Sequence, residues 1–243
     1  MMKILDLIPW IADEVLVNYE REFLPDDVDV YGLKKGLQAE CHVDPAATVP
    51  ETVDAIKDAE EKGYDAVVMA CFGDIGVEIG RSHVDIPVLG PTKVGLHFAA
   101  LIGHRICLLL PEYGNLEKSS RQIVVSYGFQ DKVVIRGSHT SVMDALGAYD
   151  DYKATSRTNP FIKEMVAICE QSLEKDNVDV FVIGCGGIKW MRDILESELA
   201  KKDHRITVID PVPVAIEVAR TLVNFNLVHS KRGYPKPPIT INR

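Results

Sequence analysis

Two stretches of this chain share one pattern: Asp65-Ala66-Val67-Val68-Met69-Ala70-Cys71-Phe72-Gly73 and Asp179-Val180-Phe181-Val182-Ile183-Gly184-Cys185-Gly186-Gly187. Each opens on an acid, runs through apolar residues to a cysteine, and places a glycine two positions beyond it. Short runs rich in β-branched residues and closed by Gly are expected to be strands buried on both faces, as in parallel sheets. Each cysteine then falls at the C-terminal end of a buried strand, where open α/β sheets form their ligand crevice.

The repetition extends outward from these runs. Arg105 to Pro111 mirrors Lys3 to Pro9, a basic residue followed by mostly apolar ones and a proline. Ile206 to Pro211 mirrors Ile86 to Pro91. Three segments recur in one order, which predicts an internal duplication: an α/β fold of two pseudo-symmetric lobes, each a mostly parallel sheet flanked by helices. The first lobe is drawn at residues 1–102 and the second at 103–211. Apolar spacing and breakers predict helices from Ala12 to Phe23, Thr52 to Lys62, Gly76 to Ser82, Thr92 to Leu101, Asn115 to Tyr127, Pro160 to Lys175, Ile188 to Leu199 and Pro211 to Asn224. Residues 32–50 are polar and irregular and yield no assignment. The proline-rich end from His229 onward is expected to be an extended tail or lid.

Composition narrows the function. The chain has 243 residues, 47% of them hydrophobic, enough to bury one large or two smaller cores. No apolar run is long enough to span a bilayer, and the acid at Asp6 argues against a signal peptide. A net charge of −9 disfavours nucleic acid and anionic membranes as partners and suits a soluble protein, and a small-molecule substrate is expected. Five cysteines without a CxxC pair point to free thiols and a reducing, cytoplasmic compartment. Cys41-His42 lacks the second half of a metal site, so no metal is expected. GxGxxG, P-loop and GxSxG motifs are absent from the sequence.

Two thiols at matching strand ends suit one chemistry in particular. A helix N-terminus beyond a cysteine favours its thiolate. The glycines at 73, 186 and 187 leave backbone N–H groups free to hold a carboxylate or a forming enolate oxygen. One sulfur can remove a proton from a stereocentre while the other returns one to the opposite face, with no cofactor. Cys107 in mid-strand and Cys169 in mid-helix are expected to be small hydrophobes, and Cys41 to be inert. Asp65 and Asp179 are expected at turns or edges, and Asp74 to cap the helix that follows it, with orienting a substrate as the alternative.

Ala70-Cys71-Phe72-Gly73-Asp74, Ile183-Gly184-Cys185-Gly186-Gly187, Ile209-Asp210-Pro211-Val212 and Ser230-Lys231-Arg232-Gly233-Tyr234 resemble motifs of the aspartate/glutamate/hydantoin racemase superfamily, in its hydantoin and allantoin racemase branch. The resemblance covers roughly residue 50 to the tail. It implies two lobes with the active site in the cleft between them, and a last helix and tail (212–243) returning to the first lobe. It also implies racemisation without a cofactor, with Cys71 and Cys185 as acid/base groups and homo-oligomers as common assemblies. The substrate-binding candidates are Pro9, Trp10, Phe72, Gly73, Thr92, Gly186 and Gly187. Two departures bear on the substrate. Ile8-Pro9-Trp10-Ile11-Ala12 stands where the family has an Asn-Pro-Asn-Thr-like stretch. Thr92-Lys93 stands where the branch often has a Glu-Ala pair. A 5-substituted hydantoin or allantoin is the leading substrate class. A cis–trans isomerase or decarboxylase acting on a (di)carboxylic acid, and a non-catalytic small-molecule sensor, remain open at this point.

Overall fold

Among the residues that the computed structural model describes, 2–35 and 45–238, eight strands form two parallel sheets of four. The first holds β1 (Ile4–Ile11), β2 (Val28–Leu33), β3 (Ala66–Met69) and β4 (Val88–Leu89), in the order β2-β1-β3-β4. The second holds β5 (Ile106–Leu110), β6 (Val133–Gly137), β7 (Val180–Ile183) and β8 (Thr207–Ile209), in the order β6-β5-β7-β8. The topology is the same, and so is the register: Ile4 pairs with Ala66, and Ile106 with Val180. Cys41 and His42 lie outside the described residues.

Parallel strands need long crossovers, and helices supply them. These are α1 (Glu14–Arg21), α2 (Val49–Glu61), α3 (Val77–His83), α4 (Pro91–Ile102), α5 (Tyr113–Ser126), α6 (Val142–Thr155), α7 (Pro160–Asp176), α8 (Met191–Ala200) and α9 (Pro211–Asn224). Asp13 sets the start of α1 by accepting the N–H of Leu16 at 2.9 Å, two residues later than the spacing suggested. Asn159 does the same for α7 through Ile162 at 3.0 Å, with Pro160 in the first turn. The helix expected from Ile188 begins instead at Met191, because a 3₁₀ turn occupies Gly186–Ile188. α6 was not expected at all: only Ala145 and Tyr149 of its residues are buried, so its apolar stripe is thin.

The acids that open the two cysteine runs are structural staples rather than plain turn residues. The Asp65 carboxylate accepts the N–H of Lys3 at 2.7 Å, just before β1. The Asp179 carboxylate accepts the N–H groups of His104 (2.9 Å) and Arg105 (3.0 Å), just before β5. Each acid fixes the start of its sheet's central strand against the start of the cysteine strand.

The chain divides into two compact units, Met1–Pro91 with Ala215–Arg243, and Thr92–Val214. The sequence reading drew the first boundary after residue 102, but α4 packs with the second unit. A Cβ added at its Gly95 would stand 2.6 Å from Pro211, and its His97 ring meets Phe129 edge-on at 4.8 Å. From Ala215 on, the chain belongs to the first unit, where Arg220 pairs with Asp27 at 2.7 Å. In that unit Leu5, Leu7, Val67 and Met69 pack with Ile56 and Ala59 of α2 on one face of the sheet. Ile8, Val30 and Ala70 pack with Leu16 and Val17 of α1 on the other.

The terminal segment is a strap along the edge strand β4. The Val88 N–H donates to His229 Nε2 at 2.8 Å, and the Val88 carbonyl accepts from Arg81 Nε at 3.0 Å. Lys231 donates to the carbonyls of Arg81 and Val84, and Lys236 pairs with Asp85 at 2.7 Å. Side chains thus satisfy an edge that would otherwise invite pairing with another chain.

Candidate active site

Cys71 lies just beyond β3, half-buried, against the cluster of Leu7 and Met69. Its sulfur accepts the backbone N–H of Gly73 at 3.2 Å. A hydrogen bond to sulfur favours the thiolate. Gly73 allows the approach, since a Cβ there would stand 3.3 Å from the sulfur and 3.1 Å from Ile75 Cγ1. Phe72 beside it is buried.

The turn from Cys71 to α3 passes through Asp74, a non-glycine residue at φ 47°. Its N–H donates to the Cys71 carbonyl at 3.1 Å. Asp74 does not cap α3, whose N-cap is Gly76 without a side-chain hydrogen bond. Its carboxylate lies against Gly90 instead, at a point where any Cβ would collide with it. Asp74 therefore ties the cysteine turn to the end of β4.

Pro9 is buried where the β1–β2 register shifts between Ile8 and Ile11. Trp10 is half-buried with Ile8, Val30 and Ala70, on the sheet face opposite the cluster that holds Cys71. Thr92 is buried in the first turn of α4. Lys93 Nζ sits 5.2 Å from the centre of the Tyr127 ring, a cation–π contact within the second unit.

Cys185 follows β7 in an extended conformation (φ −155°, ψ 134°) and is also half-buried. Its carbonyl accepts the N–H of Ile188 at 3.1 Å, and that of Gly186 accepts the N–H of Lys189 at 3.2 Å, which closes the 3₁₀ turn. At Gly187 a Cβ would stand 2.6 Å from Val142 Cγ1 and 3.8 Å from the Cys185 sulfur, so the turn is wedged between α6 and the thiol. Cys71 and Cys185 each stand six residues ahead of their following helices, which start at Val77 and Met191. The helix dipole consequently acts on each sulfur only across a turn, and the local amides are the nearer electrostatic influence.

Three residues at the second turn escaped sequence reasoning. Lys189 is only 2% exposed, unusual for a lysine. Trp190 donates its indole N–H to the Gly187 carbonyl at 3.2 Å and stacks on Tyr149, ring centroids 5.2 Å apart. Val142 closes the other side. The signal for Trp190 was its rarity, since the chain has two tryptophans and this one follows the Gly-Gly pair closely.

Cys107 and Cys169 are buried, as expected of packing residues. Burial pushes the Cys107 thiol up to about 12 and the Cys169 thiol well above its ordinary value. Among the described residues there is no group of three or more His, Cys, Asp or Glu able to hold a metal, and no helix long and apolar enough to cross a membrane.

The profile of the family described as Asp/Glu/Hydantoin racemase matches residues 36–219. A hydantoin racemase from Pseudomonas sp. (strain NS671) is 29% identical over 201 residues, 82% of this chain and 74% of that one. A second, from Paenarthrobacter aurescens, is 27% identical over 199 residues, 80% of this chain and 77% of its own length. The structure of allantoin racemase from Klebsiella pneumoniae has the same fold, with a TM-score of 0.80 at 22% identity over 100% of this chain and 96% of that one. With the duplicated sheets, the matching cysteine turns and a family match across most of its length, this chain belongs to the Asp/Glu/hydantoin racemase family, and with it to the isomerases.

Proposed function

We propose that the protein racemises or epimerises a 5-substituted hydantoin or allantoin without a cofactor, with Cys71 and Cys185 as its two acid/base groups. The observation that carries this reading is the equivalence of the two turns. Each cysteine lies just beyond the strand between the central strand and the edge of its sheet, and each is followed by a short glycine-bearing turn into a helix. A single thiol would serve a one-base reaction, whereas two half-buried thiols in matched settings suit proton transfer on both faces of one carbon. The thiolate of one cysteine takes the proton from the ring carbon, and its electron pair delocalises into the adjacent carbonyl. The other thiol gives its proton to the opposite face, and the two exchange roles for the reverse direction. Backbone N–H groups of the second turn would hold a substrate carbonyl oxygen, whereas the Gly73 N–H, expected to be open to the substrate, is bonded to the Cys71 sulfur.

Phe72, Gly73, Gly186 and Gly187 flank the sulfurs in sequence and are assigned to substrate binding, with Pro9, Trp10 and Thr92 completing the set. The relatives named hydantoin racemase support a hydantoin ring as the substrate class. Four described free thiols suit a reducing cytoplasm as the working compartment. A homo-oligomer is the expected assembly.

Proton NMR in D₂O of enantiopure hydantoins, allantoin, aspartate and glutamate tests the reading. Protein-dependent exchange of the stereocentre hydrogen, with loss of optical rotation, is expected for a hydantoin or allantoin. Serine at either cysteine is expected to abolish racemisation. Parent-like racemisation by both single variants would overturn the two-base assignment.

A further inference from the structure

Gly186-Gly187 is the most pliable sequence that could follow a reactive cysteine, because glycine loses more conformational freedom on ordering than any other residue. Something outside the pair must hold the turn if its amides are to face a fixed sulfur. In the first unit that role is partly internal: the Gly73 N–H is bonded to the Cys71 sulfur, and Asp74 anchors the turn to Gly90. In the second unit the anchor is external. The Trp190 indole N–H reaches back to the Gly187 carbonyl at 3.2 Å, which fixes the peptide plane that carries the Ile188 N–H to Cys185.

The indole is itself immobilised. It is 5% exposed and sits among Tyr149 and Tyr152 of α6 and Phe161 of α7, with ring centroids 5.2, 6.1 and 6.0 Å away. Val142, in the first turn of the same α6, presses on Gly187 from the other side. Tyr149 is one of the two buried residues of α6, so much of what that helix buries faces the indole. We infer that Trp190 is a positioning residue for the second acid/base group, its indole N–H and the α6 aromatics holding the Gly186-Gly187 turn against Cys185. This rests on the assignment of Cys185 to proton transfer. It predicts that the turn, rather than the fold, suffers when the N–H is lost.

Trp190→Phe keeps a ring in the box and removes the donor. Its kcat is expected to fall about tenfold while KM changes by less than about twofold, because a misplaced acid/base group is felt in the transition state. The alkylation of Cys185 by iodoacetamide, followed by peptide mass spectrometry across pH, should shift its midpoint upward, with that of Cys71 unmoved. The amides of Ile188 and Lys189 should exchange with deuterium faster than in the parent. Parent-like kcat together with a parent-like Cys185 profile would overturn the inference. The parent protein offers a check that needs no variant: a slowly exchanging Trp190 indole proton is expected, and exchange at the solvent rate would also overturn it. Loss of the proton-transfer assignment would show separately, as racemase activity surviving in Cys185→Ser.

Discussion

Asp74 lays its carboxylate against the α-carbon of Gly90, so the turn that carries Cys71 and the end of the edge strand share one small volume. Gly90→Ala is expected to lower stability by about 1–3 kcal/mol, the usual range for overpacking a tight site. Asp74→Gly removes the carboxylate and suits the positive φ of that position. The double variant should therefore be more stable than the sum of the singles by roughly 0.5–3 kcal/mol, read from urea midpoints in a double-mutant cycle. Additive losses would mean that the two residues do not share the space.

Gly73 has a different constraint, since its missing side chain is what lets an amide reach the sulfur. Gly73→Ala should reduce kcat about tenfold by moving the Cys71 thiol or its amide. Thermal stability should fall by only a few degrees. Gly147→Ala is the control: nothing lies within 4 Å of its added Cβ, and it sits within α6. That change should raise stability by about 0.5–1 kcal/mol and leave activity alone.

Thiol labelling should separate the cysteines by environment. Cys71 and Cys185 are half-buried, whereas Cys107 and Cys169 are buried with raised pKa values. Native protein treated with iodoacetamide and mapped by mass spectrometry should carry label on Cys71 and Cys185 well before Cys107 or Cys169. Early label on Cys107 would contradict the packing of β5.

The strap makes acid pH informative. Burial, with the positive charges of Arg81 and Lys231 beside it and Glu78 partly opposing them, lowers the His229 pKa to about 4. The Tyr234 ring also meets the imidazole, edge-on. The folded state thus binds the His229 proton less readily than the unfolded chain. The stability that His229 contributes is whole above its ordinary value of 6.5 and is lost as pH falls toward 4. His229→Gln keeps an acceptor for the Val88 N–H but cannot titrate. Melting temperatures measured between pH 7 and 5 should fall more steeply for the parent than for this variant, and equal slopes would remove His229 from the account.

The cysteine strands were legible because strands buried on both faces leave continuous apolar runs, and duplication made their order redundant. The matching register was not legible, because the bonds of Asp65 to Lys3 and of Asp179 to His104 and Arg105 join residues far apart in the chain. α6 was hidden because Met143 is exposed and Asp144, Asp150, Asp151 and Lys153 interrupt the apolar pattern. Without that helix the meaning of Trp190 could not be read, as its partners Tyr149 and Tyr152 lie on it. The boundary near α4 was misplaced because local sequence shows which strand a helix follows, not which sheet it packs on. The Val88 N–H is met by His229, far along the chain, and no local pattern announces that contact.

The assignment of Ala215 onward to the first unit sets the order in which the molecule can be completed during synthesis. The second unit is one unbroken segment, Thr92–Val214, and has all its residues as soon as Val214 has left the ribosome. The first has its sheet earlier but must wait, with the β4 edge uncovered, for α9 and the strap. Domains that emerge in pieces expose strand edges during that wait. For this chain the open edge belongs to the nascent state, and it closes only when His229 and Lys231 arrive.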